Sequence, residues 1–204
     1  MNFSPVQTFI AKRATIILSD KLKTKVSIER VKIGILNSVT LEGLYVEGRD
    51  KDTLLYTGEL SARITDWFIF SDKPVIKYVG LKNTYANLYR PRTSDQWNFQ
   101  FIIDAFDSGK KSTKPKKQSD FDIGLEKVEL ENVRFKMDDG WVGSDMDFEV
   151  GSFLIDARKL DFKKKIIDLN KIAAVRTAVM IRDYAGGRPP RPKKKKEIDN
   201  TPFN

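Results

Sequence analysis

The densest group of ionisable side chains is Asp138, Asp139, Asp145 and Asp147, set around Gly140, Trp141, Val142 and Gly143. Four carboxylates at this spacing suggest a cation site, but the pattern does not match an EF-hand loop. The simpler reading is a hairpin turn whose acids face solvent. The chain has no histidine and no cysteine. This removes thiolate zinc sites, cysteine nucleophiles and histidine acid–base chemistry together. The serines have no histidine to activate them. Apart from Gly186-Gly187 the glycines are scattered singly, and none sits in a phosphate-cradling loop pattern. Nothing points to a carboxylate pair for glycoside hydrolysis. The expectation is a non-enzymatic protein with no metal and no cofactor.

The positive charge has a telling location. The net charge is +9. Residues 108–119 carry Lys110, Lys111, Lys114, Lys116 and Lys117 with no acid, and residues 188–204 carry Arg188, Arg191, Lys193, Lys194, Lys195 and Lys196 against Glu197 and Asp199. These two stretches hold the whole excess, so the rest is neutral. A nucleic-acid domain is expected to carry its excess on the folded body, among aromatics. The reading here is two solvated, flexible segments, with attraction to an anionic membrane surface as the sharper option. No nucleic-acid partner is expected.

The elements follow from periodicity. Ser4, Pro5 and Gln7 fit a capping box with Pro at the first helical position. Val6, Phe9, Ile10, Ala14, Ile17 and Leu18 then recur at helical spacing, with Lys12, Arg13, Asp20, Lys21 and Lys23 filling much of the other face. This predicts an amphipathic helix, with Val6, Phe9, Ile10, Ile17 and Leu18 as a candidate membrane-proximal face. From Thr24 the grammar becomes that of strands, broken by turn signals. Val26 and Ile28 have one parity and Val31, Ile33 and Ile35 the other, which calls for a bulge near Glu29 and Arg30. Phe99, Ile102, Ile103 and Phe106 mark one short helix near 95–106, with Ser94 or Asp95 as its cap. The predicted organisation is a helix over 1–23, a repeated strand domain over 24–185 with a Lys-rich loop at 108–120, and a Pro/Lys-rich disordered linker over 186–204. The fold class is mainly β (α+β): an N-terminal amphipathic helix capping a curved antiparallel sheet or groove.

A short motif repeats: an apolar residue, any residue, Leu, any residue, then Asn or Gly. It appears at Val39, Leu41 and Gly43; at Val79, Leu81 and Asn83; at Val128, Leu130 and Asn132; and in degraded form at Ile172, Ala174 and Arg176. The copies recur roughly every 40 to 50 residues, a period of stacked supersecondary units. Similarity also extends upstream of two copies, from Gly58 and from Gly151. Asn and Gly tolerate positive φ, so each copy predicts a kink at a fixed place, and a row of kinks curves a sheet one way.

Several stretches together resemble a known family. The helix beginning Ser4-Pro5-Val6-Gln7 and running into Leu18, Lys21, Val26 and Ile28 resembles the segment after the transmembrane helix of AsmA-like proteins. Asp52-Thr53-Leu54-Leu55-Tyr56, Leu88-Tyr89-Arg90, Trp97-Asn98-Phe99 and Val128-Glu129-Leu130-Glu131-Asn132 resemble, in that order, TamB-type translocation and assembly module proteins. The resemblance covers most of residues 4–192. It implies a periplasmic location, anchored to the inner membrane by a transmembrane helix that this sequence does not contain. It also implies a bridge-like lipid-transfer groove able to hold bound phospholipid or fatty acyl chains, with phospholipids and an outer-membrane β-barrel assembly protein as partners. The expected function is phospholipid transfer to, and biogenesis of, the outer membrane. The alternative is a scaffold for assembly and secretion of outer-membrane and autotransporter proteins. Candidate groove-lining residues are Val26, Ile28, Leu41, Val79, Leu81, Val128, Leu130, Phe135 and Val179. Alternation alone leaves open whether their face is an open groove or half of a closed sandwich.

Overall fold

The computed structural model describes residues 5–34, 37–64, 75–106, 122–161 and 166–189. The predicted cap Ser4, the Lys-rich loop 108–120 and the tail from 190 onward lie outside the described residues. Helix α1 (Pro5–Leu22) leads into strands β1 (Val26–Ser27), β2 (Arg30–Ile33), β3 (Ser38–Glu47), β4 (Thr53–Ile64) and β5 (Val75–Arg90). Helix α2 (Gln100–Phe106) follows, then β6 (Asp122–Asp139), β7 (Ser144–Asp161) and β8 (Ile166–Asp183). All eight strands belong to one open, curved sheet, in the order β1-β3-β4-β5-β6-β7-β8 with β2 also on β3. The two ends of this sheet do not pair with each other.

One pairing departs from the expected antiparallel arrangement. β5 and β6 run parallel, with Val79 beside Val128 and Leu81 beside Leu130. Parallel neighbours need a crossover of a dozen or more residues, and residues 91–121 supply it. The sheet is therefore two three-stranded meanders, β3-β4-β5 and β6-β7-β8, placed side by side. A consequence is that β3, β5, β6 and β8, the four motif strands, all point the same way.

The helices close one end. α1 ends with Lys23 in the left-handed region, at φ 53°, a common helix stop. Its hydroxyls then stand in for a strand. Thr15 Oγ1 accepts from Ile28 N at 3.1 Å, and Ser19 Oγ accepts from Val26 N at 3.1 Å. Ala11 and Leu22 are buried with Val26, Ile28, Val31, Leu44, Val46 and Leu54 in the main core. α2 is shorter than the expected 95–106. Asn98 is held against β5 instead: its N donates to Tyr89 O at 2.8 Å, and its Oδ1 accepts from Tyr89 N at 3.0 Å. That pinning leaves the helix to begin at Gln100. Phe99, Phe101, Ile102 and Ala105 pack on the core, whereas Ile103 and Phe106 are exposed.

The start of the expected linker is held down. Gly187 N donates to Gly140 O at 3.0 Å and Arg188 N to Trp141 O at 2.8 Å. The β6–β7 turn thereby grips residues just after β8.

Candidate functional site

The motif positions become a single line across the sheet. Gly43, Asn83, Asn132 and Arg176 have φ of 61°, 50°, 51° and 51°. Between them, on β4 and β7, stand Gly58 and Gly151: the flanking pairs Glu42–Glu59 and Leu44–Thr57 set Gly58 opposite Gly43, and Glu131–Ser152 and Val133–Val150 set Gly151 opposite Asn132. The break between β1 and β2 falls on the same line, since the Glu29 side chain lies over Gly43. A Cβ on Gly43 would sit 2.3 Å from Glu29 Cδ, so any other residue there has to push the Glu29 side chain aside, and its positive φ suits glycine. The bulge expected near Glu29 and the kinks expected at Asn or Gly are thus one crease.

Each strand places two successive residues on one face at the crease. Apolar parity therefore flips there, and the apolar residues before and after it stay on the same side of the sheet. Row upon row results. Val39, Ala62, Val79, Val128, Ile155 and Ile172 are cross-strand neighbours, as are Leu41, Leu60, Leu81, Leu130, Phe153 and Ala174. Beyond the crease come Leu44, Thr57, Thr84, Val133, Val150 and Thr177, then Val46, Leu55, Ala86, Phe135, Phe148 and Val179. A shorter row of Leu88, Met137, Met146 and Ile181 ends the face. Of the nine candidate lining residues, seven belong to these rows, Val26 pairs Val46 on β1, and Ile28 lies between β1 and β2 in the buried core. Sequence reading named only part of it. Leu60, Phe148 and Phe153 lie on β4 and β7, which lack the motif; only parity followed through Gly58 and Gly151 points to them.

Two of the three threonines are turned away from solvent, whereas Thr177 on β8 is exposed. Thr57 and Thr84 are buried, and Thr84 Oγ1 hydrogen-bonds Thr57 Oγ1 at 2.8 Å. Thr57 Oγ1 also donates to Glu59 O at 2.9 Å. The hydroxyls serve carbonyls that the crease takes out of the regular ladder.

Cover is uneven. Over β1 to β4 the face lies under α1 and α2. Toward β8 it opens: Leu130, Phe135, Met137, Phe148 and Phe153 are only half-buried, and Val179 is 54% exposed.

The other face is charged, and its charges are matched across strands. Lys77 pairs Glu126, Arg134 pairs Asp147 at 2.8 Å, and Arg30 and Lys32 both pair Glu42. Lys32 and Arg30 hold the Glu42 carboxyl below its ordinary range. Lys127 and then the Tyr78 hydroxyl do the same for Glu129, while burial, followed by Glu129, pushes Tyr78 up to about 12. Shallow recesses on this face follow the crease; one of about 560 Å³ is lined by Asn83, Tyr85, Asn132, Arg134, Glu149 and Arg176.

The four aspartates near the β6–β7 turn do not converge on one point. Asp139 takes Arg90 at 2.6 Å, Asp138 takes Lys136 at 2.7 Å, Asp145 takes Arg182 at 2.7 Å and Asp147 takes Arg134. Each carboxylate is thus committed to its own cation.

Helix α1 has two apolar sides. Of the five residues proposed as one membrane-proximal face, Ile10 and Leu18 pack on the core. Val6, Phe9 and Ile17 face outward with Ile16, all more than half exposed. No helix among the described residues is long and apolar enough to cross a membrane. Comparison with known proteins adds no relative: no family model matches the chain, and no curated protein matches it.

Proposed function

We propose that the chain is a lipid-carrying groove segment, in which acyl chains lie along the apolar face and headgroups remain at its open margin. One observation carries this reading: three apolar rows, those of Val39, Leu41 and Val46, run from β3 to β8, yet helices cover only the first strands. An exposed apolar surface of this extent needs a partner. Six strands at about 4.8 Å spacing span roughly 24 Å, which exceeds the roughly 15 Å depth of one leaflet's hydrocarbon. A chain lying along a row therefore fits. The hydroxyls of Thr57 and Thr84 are already satisfied, so neither asks for a polar ligand. The exposed Val6, Phe9, Ile16 and Ile17, flanked by Lys12, Arg13 and Lys21, suit contact with an anionic bilayer surface. The TamB/AsmA-like resemblance, with its inner-membrane anchor, periplasmic location and outer-membrane biogenesis, is part of the same proposal.

The experiment is to purify the protein, extract it with organic solvent and quantify phospholipid by mass spectrometry. Val179 offers a gentle perturbation because it is exposed. Val179→Glu is expected to lower bound lipid severalfold while leaving stability within about 0.5 kcal/mol. Phospholipid no higher than that carried by an unrelated soluble protein refutes the reading.

A further inference from the structure

Among the described strands β8 bonds to β7 alone. From Ala174 to Asp183 every one of its residues is exposed. Val179, Met180 and Ile181 are each more than half exposed, so side-chain burial does little to keep this stretch in place. A strand end of this kind frays at almost no cost unless something ties it down. Two side-chain bonds reach it: Arg182 donates to Asp145 at 2.7 Å and the Tyr184 hydroxyl to the same carboxylate at 2.8 Å. Both lie at the surface, where such contacts contribute least.

The chain just beyond β8 supplies the tie. The last rung is Tyr184 N donating to Gly143 O at 2.8 Å. Residues 185–188 then cross the β6–β7 turn and reach the exit of β5. Gly187 N and Arg188 N donate to Gly140 O and Trp141 O, and Arg92 Nη2 donates to Ala185 O at 2.7 Å. A Cβ on Gly187 would sit 1.7 Å from Arg92 O, and one on Gly186 would sit 2.4 Å from Trp141 O. Both obstacles are backbone, so neither moves aside cheaply. The receiving turn is itself anchored inward. Gly140 N donates to Arg90 O at 2.9 Å, Val142 N donates to Asp139 Oδ1 at 2.9 Å, and Asp139 is held by Arg90. The end of β8 is thereby fastened past β7 to the β5–β6 pair.

We infer that residues 184–188 are a latch for the C-terminal end of β8. Closed, the latch keeps 177–183 paired with β7 and completes the open margin of the apolar face, where Thr177, Val179 and Ile181 stand. Released, it lets those rungs open from Asp183 back to Arg176. The opening stops there, because residue 176 already interrupts the ladder between the Ser152–Val175 and Val150–Thr177 pairs. Before the crease β8 keeps bonds of its own, Arg158 to Asp168 at 2.8 Å and Asn170 to Asp156 at 3.0 Å. The latch rests on the path of the chain and does not depend on what occupies the apolar face.

The test follows amide exchange by NMR on the full chain and on three variants. Arg92→Ala removes the bond to Ala185. It is expected to speed exchange of the β7-bonded amides between 177 and 183 by about fivefold. Gly187→Val drives a side chain into the Arg92 carbonyl and is expected to speed the same amides by about tenfold. Arg92→Lys keeps a donor and is expected to stay near the parent. Exchange over 166–171 and over 44–46 in the core is expected to be unchanged throughout. Should Gly187→Val not fold, Arg92→Ala decides. The inference is overturned by parent-rate exchange over 177–183 in either folded variant, or by acceleration in Arg92→Ala that extends through the core, which would mark a global loss of stability.

Discussion

Asn132 donates a hydrogen bond from Nδ2 to Oδ1 of Asn83 at 2.8 Å, and both residues hold left-handed backbone, at φ 51° and 50°. They sit side by side on β5 and β6, the one parallel pair among the described strands. The amide pair therefore locks the creases of the two meanders into a single line where no shared turn could align them. Asparagine serves here because it tolerates this φ and bonds through a short polar side chain.

Backbone and bond can be separated by substitution. Asn132→Val places a β-branched residue at positive φ and removes the bond, at a cost of about 2–4 kcal/mol. Asn132→Gly removes only the bond and should cost about 1 kcal/mol or less. Urea unfolding of both variants checks this. Equal losses would show that the left-handed conformation is not what the position selects.

A second lock joins the far ends of β5 and β6. Arg90 Nε and Nη2 each lie 2.6 Å from an oxygen of Asp139, and both side chains are largely buried. Arg90 holds the Asp139 carboxyl below its ordinary range, aided by the Val142 and Trp141 amides. A carboxylate whose folded pKa is depressed contributes stability above its unfolded value, and loses it as pH falls through the folded value. Stability should therefore decline below about pH 4. Arg90→Met strands a buried carboxylate and should cost about 3 kcal/mol at pH 7. The penalty should shrink toward pH 4 as Asp139 protonates. Unfolding measured from pH 3 to 7 tests it, and a penalty independent of pH would contradict the assignment.

Thr57 and Thr84 offer a cycle of substitutions. Thr57→Val leaves the Thr84 hydroxyl and the Glu59 carbonyl short of a partner, at about 1–3 kcal/mol. The double variant Thr57→Val/Thr84→Val should cost less than the sum of the two single changes. Valine already fills the equivalent place on β7, where Val150 is buried. Additive losses in denaturant unfolding would mean that the two hydroxyls are not coupled.

Much of this architecture could be read from residue order. The crease was legible because Gly43, Asn83 and Asn132 are residue types that accept positive φ, and because Val26, Ile28, Val31 and Ile33 change parity at Glu29. Even Arg176 was reached by spacing, although arginine itself gives no such signal. The apolar lining was legible wherever alternation was strict. Three things were not. The parallel β5–β6 pairing depends on how a long crossover returns, which no local pattern encodes. The partners Gly58 and Gly151 are ordinary glycines until their strands are paired. The true faces of α1 were hidden because the helix is apolar on both sides, and only packing on β1 and β2 decides that Ile10 and Leu18 turn inward while Phe9 and Ile17 turn out.

The central claim is that acyl chains occupy the apolar face. The most direct measurement places a photo-crosslinking amino acid at Leu130, in the middle of an apolar row, and compares it with the same probe at Glu131 on the charged side. Protein made in cells with labelled phospholipid is irradiated and analysed by mass spectrometry. Lipid adducts at position 130 and none at 131 are predicted. Adducts only to protein at 130, or equal lipid labelling at both positions, would contradict the account.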